Sequence, residues 1–435
     1  VSKPEIGEEG IRLNYRLLPI VVALLLVWQL AAPHDALVAL LVGLGGAWLV
    51  AYLWARSLRR NVVLRREVRF GWAQVGDQLE ERFTVRNDGW APALVADLID
   101  HSTMPAYRVG RGTAIDGLST NRWVNKASCS KRGLFTLGPT SLKASDPLGI
   151  YTVIVHDPAS APLVVMPPVV PLPAIQVSVG GRAGDGRPRP KGADQTVSAA
   201  SVREYSPGDS LRWIHWRTTA RLGEPYVRLL DGTPAGDWWI ALDMDVEAQA
   251  GRGEETTDEH GVILAASLAD RGLRLGRAVG LIAHGEELVW LPPRARDSQR
   301  WEIMRSLARI STGSCSLSEL LGRAGPALGR HASLIVITAA AHGDWVPPLI
   351  RLIERDATPT VLLLDPKSYG ESGDVRPVAA ALAELGVRYY VITRELLTQA
   401  EARPGEQGRW EWRVLPTGRA VPVRRPRELA WRGLS

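Results

Sequence analysis

Two uncharged apolar runs, residues 17–32 (LLPIVVALLLVWQLAA) and 36–54 (ALVALLVGLGGAWLVAYLW), are separated only by Pro33, His34 and Asp35. Two such runs joined by so short a turn read as a transmembrane helical hairpin over 17–54 more readily than as a cleaved leader followed by a core helix. Beyond them, residues 62–168 break into short alternating stretches: 62–70, 78–87, 93–100, 121–128, 134–145 and 149–155. Turn signals separate these stretches, at Gly76-Asp77, Asn87-Asp88-Gly89, Lys131-Arg132-Gly133 and Asp146-Pro147. Strand-period alternation with regular punctuation predicts an antiparallel β-sandwich.

Residues 169–200 are rich in Pro and Gly at first and then basic, and they predict a flexible linker. After residue 237 the pattern changes again. Apolar strand runs at 238–242, 278–283, 287–291, 333–338, 360–364 and 387–392 alternate with helical periodicity at 258–273, 298–310, 317–328, 346–355 and 375–385. That order predicts an α/β domain over 237–400 with a mostly parallel sheet covered on both faces. A basic tail, 401–435, holds Trp410, Trp412 and Trp431 among arginines and suggests a hairpin followed by a polar end.

Length and charge refine this picture. A chain of 435 residues is long enough for two or three cores. Its formal charge is +6, but much of the excess sits at Arg56, Arg59, Arg60, Arg65 and Arg66, at the exit of the second apolar run. Positive-inside bias then places the N-terminal residues 1–16 and the whole soluble region in the cytoplasm. The two cysteines, Cys129 and Cys315, do not suggest a disulfide framework and agree with a reducing compartment.

The densest stretch is 201–231, SVREYSPGDSLRWIHWRTTARLGEPYVRLLD. Pro207-Gly208 marks a turn, Asp209 or Ser210 caps a short helix ending near Leu222, Gly223 stops it, and a strand follows. The pattern Arg203, Tyr205, Pro207, Gly208, Asp209, Arg212, Trp213, Trp216, Arg221 resembles the signature of the "domain of unknown function 58" family, membrane-anchored bacterial proteins with a von Willebrand factor A-like domain. Residues 132–139 and Asp146-Pro147-Leu148-Gly149 resemble that family too. His215 stands where the family usually has Asp. The signature itself reads in two ways: an interaction surface, or a structural element in which arginines pair with carboxylates such as Glu204 and Asp209 while Trp213 and Trp216 fill a domain junction.

The resemblance directs attention to the end of the first strand of the α/β domain. An A-like domain with a working metal site carries D-x-S-x-S there. This chain has Asp243, Asp245 and Glu247, and Ala339 where a later Asp is expected. Two readings stay open: a modified site for Mg²⁺ or another divalent cation, and a degenerate site whose acidic loop is solvated or meets a basic partner. Support for catalysis is thin. There is no H-E-x-x-H, paired-Cys ligand spacing, G-x-S-x-G elbow or phosphate loop, and His215 is a lone candidate base.

The expected function is therefore a non-catalytic, membrane-anchored interaction or adaptor module with no evident small-molecule substrate. The resemblance implies work beside a MoxR-type AAA+ ATPase in assembling or maturing envelope complexes at the bacterial inner membrane. The alternative is a tethered binder of nucleic acid or anionic lipid through the basic loop 182–191 with Trp213, Trp216 and Arg217; the scattering of charge makes nucleic acid the less favoured ligand.

Overall fold

The structure is a computed structural model. It describes residues 10–69; 71–180 apart from 106, 108, 110, 111, 173 and 179; 201–205, 214 and 216–229; 237–398 apart from 254 and 330; and 411–414, 420–424 and 432–433. The chain divides into two compact units, Val1–Pro168 with Glu406–Ser435, and Val169–Gly405.

In the first unit β1 (Gly10–Leu13) precedes α1 (Leu17–Ala31) and α2 (Asp35–Asn61). At 1.5 Å per residue the 15-residue α1 is about 22 Å long, short of a ~30 Å hydrocarbon core, whereas the 27-residue α2 reaches about 40 Å. Helix α2 is long and apolar enough to cross a membrane. It also runs on past the expected end at Trp54. Ala51, Ala55 and Leu58 are buried there and join Phe83, Val85, Leu142 and Val153 in the core of the sandwich, so tertiary packing extends a helix that apolar composition alone would have stopped.

The sandwich strands are β2 (Val62–Val68), β3 (Trp72–Gln74), β4 (Gln78–Asn87), β5 (Ala93–Asp100), β6 (Gly112–Ile115), β7 (Ser119–Ser128), β8 (Gly133–Leu137), β9 (Thr140–Ser145), β10 (Tyr151–Asp157) and β11 (Ala161–Met166). One sheet has the order β1-β10-β9-β5-β6 and another runs β2-β4-β7; β3-β11-β8 forms a third, in which only the β3–β11 pair is parallel. Strand β4 alternates buried and solvent-facing residues along its length, as its sequence period demands. The single run expected over 134–145 is two strands, because Pro139 has no N–H for a ladder and the chain changes sheets at Gly138-Pro139.

A buried charge cluster sits in this core. Arg66 is 2% exposed; its guanidinium meets Glu81 at 2.9 Å and Asp100 at 2.7 Å, and bonds the Thr140 hydroxyl at 3.0 Å. Burial pushes the Glu81 carboxyl up, and Arg66 opposes the shift.

The second unit begins with a departure from expectation. The described part of residues 169–180 is a packed strap, with Val169, Val170, Leu172 and Ile175 buried. The backbone N–H groups of Gln176, Ser178 and Gly180 bond the hydroxyls of Tyr390, Thr360 and Ser333 at 2.9–3.0 Å, and the Arg271 guanidinium bonds the Leu172 carbonyl at 2.8 Å. A Cβ at Gly180 would lie 2.2 Å from the His331 carbonyl oxygen, so only glycine permits the approach. Pro and Gly punctuation suggests a loop, but the apolar residues and alternating N–H groups of this stretch find partners remote in sequence. The basic residues 181–200 lie outside the described residues.

After β12 (Ser201–Glu204), α3 (Trp216–Leu222) and β13 (Tyr226–Leu229) come β14 (Trp238–Leu242), β15 (Gly251–Arg252), β16 (Glu255–Thr256), α4 (Thr257–Arg274), β17 (Val279–His284) and β18 (Leu288–Arg294). Helices α5 (Asp297–Arg309) and α6 (Leu317–Ala324) lead to β19 (Ser333–Thr338), α7 (Val346–Ile353), β20 (Thr358–Leu364), α8 (Arg376–Glu384) and β21 (Arg388–Ile392). The sheet order is β18-β17-β14-β19-β20-β21, and every pairing is parallel except β17 with β18. In the tail, β22 (Glu411–Val414) pairs with β23 (Ala420–Arg424), and β24 (Arg432–Gly433) pairs with β2.

Candidate functional site at the carboxyl rim of the sheet

The chain leaves β14 toward β17 on one side and returns to β19 on the other, so the order reverses between β14 and β19. Ligands of open α/β sheets bind beyond the carboxyl ends of the strands at such a reversal. Asp243, the residue after β14, and Thr338, the last residue of β19, occupy that point here. The Thr338 hydroxyl donates to Asp243 Oδ2 at 2.6 Å, and the Asp245 N–H donates to Asp243 Oδ1 at 3.1 Å. Asp243 is 3% exposed. Burial pushes its carboxyl up to about 6, against the two hydrogen bonds, and the nearby charges of Asp245 and Asp344 add to the rise.

The loop that follows is tied down by its own backbone. Val246 N–H donates to the Gly313 carbonyl at 2.8 Å, and Gly313 N–H to the Met244 carbonyl at 2.9 Å. A Cβ on Gly313 would meet the Gly285 carbonyl group at 2.2 Å, which restricts the position to glycine. The Gln249 amide donates at 3.2 Å to the carbonyls of Asp243 and Asp245, while its oxygen accepts from the Thr257 hydroxyl at 2.7 Å. Val246 and Glu247 face solvent.

The three carboxylates considered as metal ligands are thus separated in role. Both oxygens of Asp243 already accept bonds, Asp245 Oδ1 accepts from the Glu247 N–H at 3.1 Å, and the Glu247 side chain is exposed. Among the described residues no group of three or more His, Cys, Asp or Glu side chains is placed to hold a metal ion. Adjacency in sequence put the three residues on one loop, and backbone N–H groups of that loop bond the carboxylates of Asp243 and Asp245.

A buried pair at the same rim escapes sequence reasoning. His260, in the first turn of α4, shares a 2.6 Å hydrogen bond between Nδ1 and the Tyr369 hydroxyl. Burial is the chief cause lowering the His260 pKa and raising that of Tyr369, so a neutral imidazole faces a neutral phenol. Beside them, Arg394 pairs with Glu255. Only the fold brings 260 and 369 together, and no spacing rule would have joined them.

Much of the signature, Pro207, Gly208, Asp209, Arg212 and Trp213, lies outside the described residues, as does His215. The described part is a ribbon in which Glu204 pairs with Tyr226 and Val202 with Arg228; Tyr205 N–H bonds the Pro225 carbonyl at 2.8 Å. Arg203 belongs to β12, opposite Val227. Trp216 is 69% exposed and Arg221 also faces solvent. A cavity of about 540 Å³, lined by Ala278 and residues 293–296, lies at the amino end of β17, away from the rim.

With the strand order and the rim in view, comparison with known proteins places the segment. Residues 201–394 match the family model described as "Protein of unknown function DUF58". Uncharacterized proteins of Mycobacterium bovis and Mycobacterium tuberculosis are 28% identical over 193 residues, 42% of this chain and 60% of theirs. The chain thus spans about three-fifths of the length of the curated relatives it matches. Among solved structures, an aerotolerance-related membrane protein from Bacteroides fragilis is 20% identical over 29% of this chain and 67% of its own, with a TM-score of 0.23. The VWA domain of SpRpn10 is 10% identical over 37% and 88%, with a TM-score of 0.27. A von Willebrand factor type A protein from Catenulispora acidiphila is 14% identical over 38% and 42%, with a TM-score of 0.24. Scores this low carry no functional weight for this chain.

Proposed function

We propose that this DUF58 chain is a non-catalytic, membrane-anchored interaction module whose A-like α/β domain offers the carboxyl rim of its sheet to a protein partner. The observation that supports the reading is the 2.6 Å bond between Thr338 and Asp243, which with the Asp245 N–H engages both oxygens of the switch-point carboxylate while Val246 and Glu247 face outward. A site built for chemistry keeps a reactive group open to its substrate. The partner we propose is a MoxR-type AAA+ ATPase, in the assembly or maturation of envelope complexes. The apolar character of α1 and α2 and the arginines after them support a multi-pass inner-membrane location with the soluble region in the cytoplasm.

The test is a mild-detergent pull-down of tagged full-length protein, repeated with purified ATPase with and without nucleotide, beside a Val246→Arg/Glu247→Arg variant. Recovery of the ATPase by the parent and its loss with the variant is the expected result. Absence of association in every nucleotide state overturns the partner, and equal recovery by the variant moves the contact off this loop. The exposed Trp216 and Arg217 on α3 favour one second reading, binding of nucleic acid or anionic lipid, for which a gel shift that collapses with moderate salt is the discriminating result.

A further inference from the structure

The geometry points to a membrane-seated end of the β-sandwich, in which the tips of three loops enter the headgroup and upper acyl region of the same bilayer that α2 crosses. This inference rests on the reading of α2 as a membrane span. Strand pairing places the three loops at one end of the sandwich. Val62 pairs with Asn87 and Asn87 with Ser119, so the β4–β5 and β6–β7 loops lie where α2 delivers the chain. Ala96 pairs with Ala144 and Leu13 with Tyr151, which brings the β9–β10 loop and the entry to α1 to that end as well.

The tips of these loops are apolar and exposed: Trp90 is 60%, Leu118 79% and Leu148 57% accessible. The far end of the sandwich turns through Asp77, Ser130, Lys131 and Pro158, with Trp72 and Leu134 exposed on the strands beside these turns. Each apolar loop is tied toward the membrane helices. The Trp90 ring meets Trp54 of α2 edge-on with centroids 5.2 Å apart, and Trp54 donates to the Pro92 carbonyl at 2.9 Å. Leu118 N–H bonds the Gly89 carbonyl at 3.0 Å, coupling the second loop to the first. The third is held by Asn14, whose side chain donates to the Gly149 carbonyl at 2.8 Å, and by Trp48 of α2, which donates to the Tyr151 hydroxyl at 2.7 Å.

Two features make the bilayer the fitting occupant. The aromatic side chains Trp48, Trp54, Trp90 and Tyr151 gather where an interfacial belt is expected, and exposed Arg59 and Arg60 lie about 8 Å farther along α2, at the height of anionic headgroups. The second feature is strain. Leu118 holds φ of +53°, a left-handed conformation that glycine or asparagine would adopt more easily than a branched aliphatic residue. The side chain is 79% exposed, and insertion into an apolar phase gives it an environment.

The experiment uses full-length protein in lipid nanodiscs, with Cys129 and Cys315 replaced by serine and one nitroxide-labelled cysteine at a time. Probe sites are Trp90→Cys, Leu118→Cys and Leu148→Cys, with Val42→Cys in α2 and Lys131→Cys at the far end as references. Collision with oxygen against collision with a water-soluble nickel chelate reports depth. The expected result is a shift to oxygen-dominated collision at 42, 90, 118 and 148, and nickel-dominated collision at 131. A bilayer signature at 42 with aqueous behaviour at all three loops overturns the seated end and leaves the membrane span standing. Aqueous behaviour at 42 overturns both.

Discussion

The carboxyl of Asp243 makes the most pointed test of the rim. Its folded pKa of about 6 lies above the ordinary value of 3.8, so between those values the folded state holds more protons than the unfolded state. Stability from this group is therefore greatest at low pH and declines as pH rises through the folded pKa. At 1.36 kcal/mol per unit the difference amounts to about 3 kcal/mol at neutral pH, or roughly a hundredfold in the opening equilibrium. Replacing the carboxylate by an amide, Asp243→Asn, removes the charge while keeping an oxygen for the Asp245 N–H. The assay is hydrogen exchange by mass spectrometry on full-length protein in detergent, reading peptides that cover β14 and β19 for parent and variant at matched pH from 5 to 8. Intrinsic exchange rates then nearly cancel. The variant should exchange more slowly at pH 8, by up to about a hundredfold, and the gap should narrow as pH falls below 6. A gap that stays constant across this range, or a variant that opens more readily at pH 8, refutes the assignment of a desolvated carboxylate at the switch point.

Three further outcomes follow from particular contacts. Arg66→Met leaves Glu81 and Asp100 buried without their cation and should destabilise the sandwich by about 3–5 kcal/mol, seen as a large drop in the unfolding temperature of the detergent-solubilised protein. Gly180→Ala should release the strap, because the new methyl overlaps the His331 carbonyl; the expected reading is faster hydrogen exchange in peptides covering 169–178, with β4 unchanged as the internal reference. Burial pushes the Cys129 thiol up to about 11, so maleimide should label it only after denaturation. Rapid labelling of the native protein would contradict the packing around β7 and β8.

Wherever a short window contains the cause of its own structure, the sequence was sufficient. The apolar run of β19 is buried at every residue, β4 alternates as its side chains do, and the Pro- and Gly-punctuated turns fall where their backbone chemistry requires. The strand and helix alternation after residue 237 likewise foretold the parallel sheet, since each element carries its own period. The candidate site was legible only as an address. Asp243 was found at the end of the first strand, but its partner Thr338 is 95 residues away, and that bond, not the neighbouring Asp245 and Glu247, determines what the carboxylate does. His260 with Tyr369 and Arg66 with Glu81 and Asp100 were hidden for the same reason. So was β1, a four-residue strand that pairs with β10, and so was the strap at 169–180, whose Pro- and Gly-punctuated sequence conceals N–H groups satisfied by side chains of β19, β20 and β21. Local propensity depends on a few successive side chains. Desolvation, charge pairing and strand partnership depend on which distant residues the folded chain brings within a few ångströms, and in this protein those neighbours were assigned by tertiary structure alone.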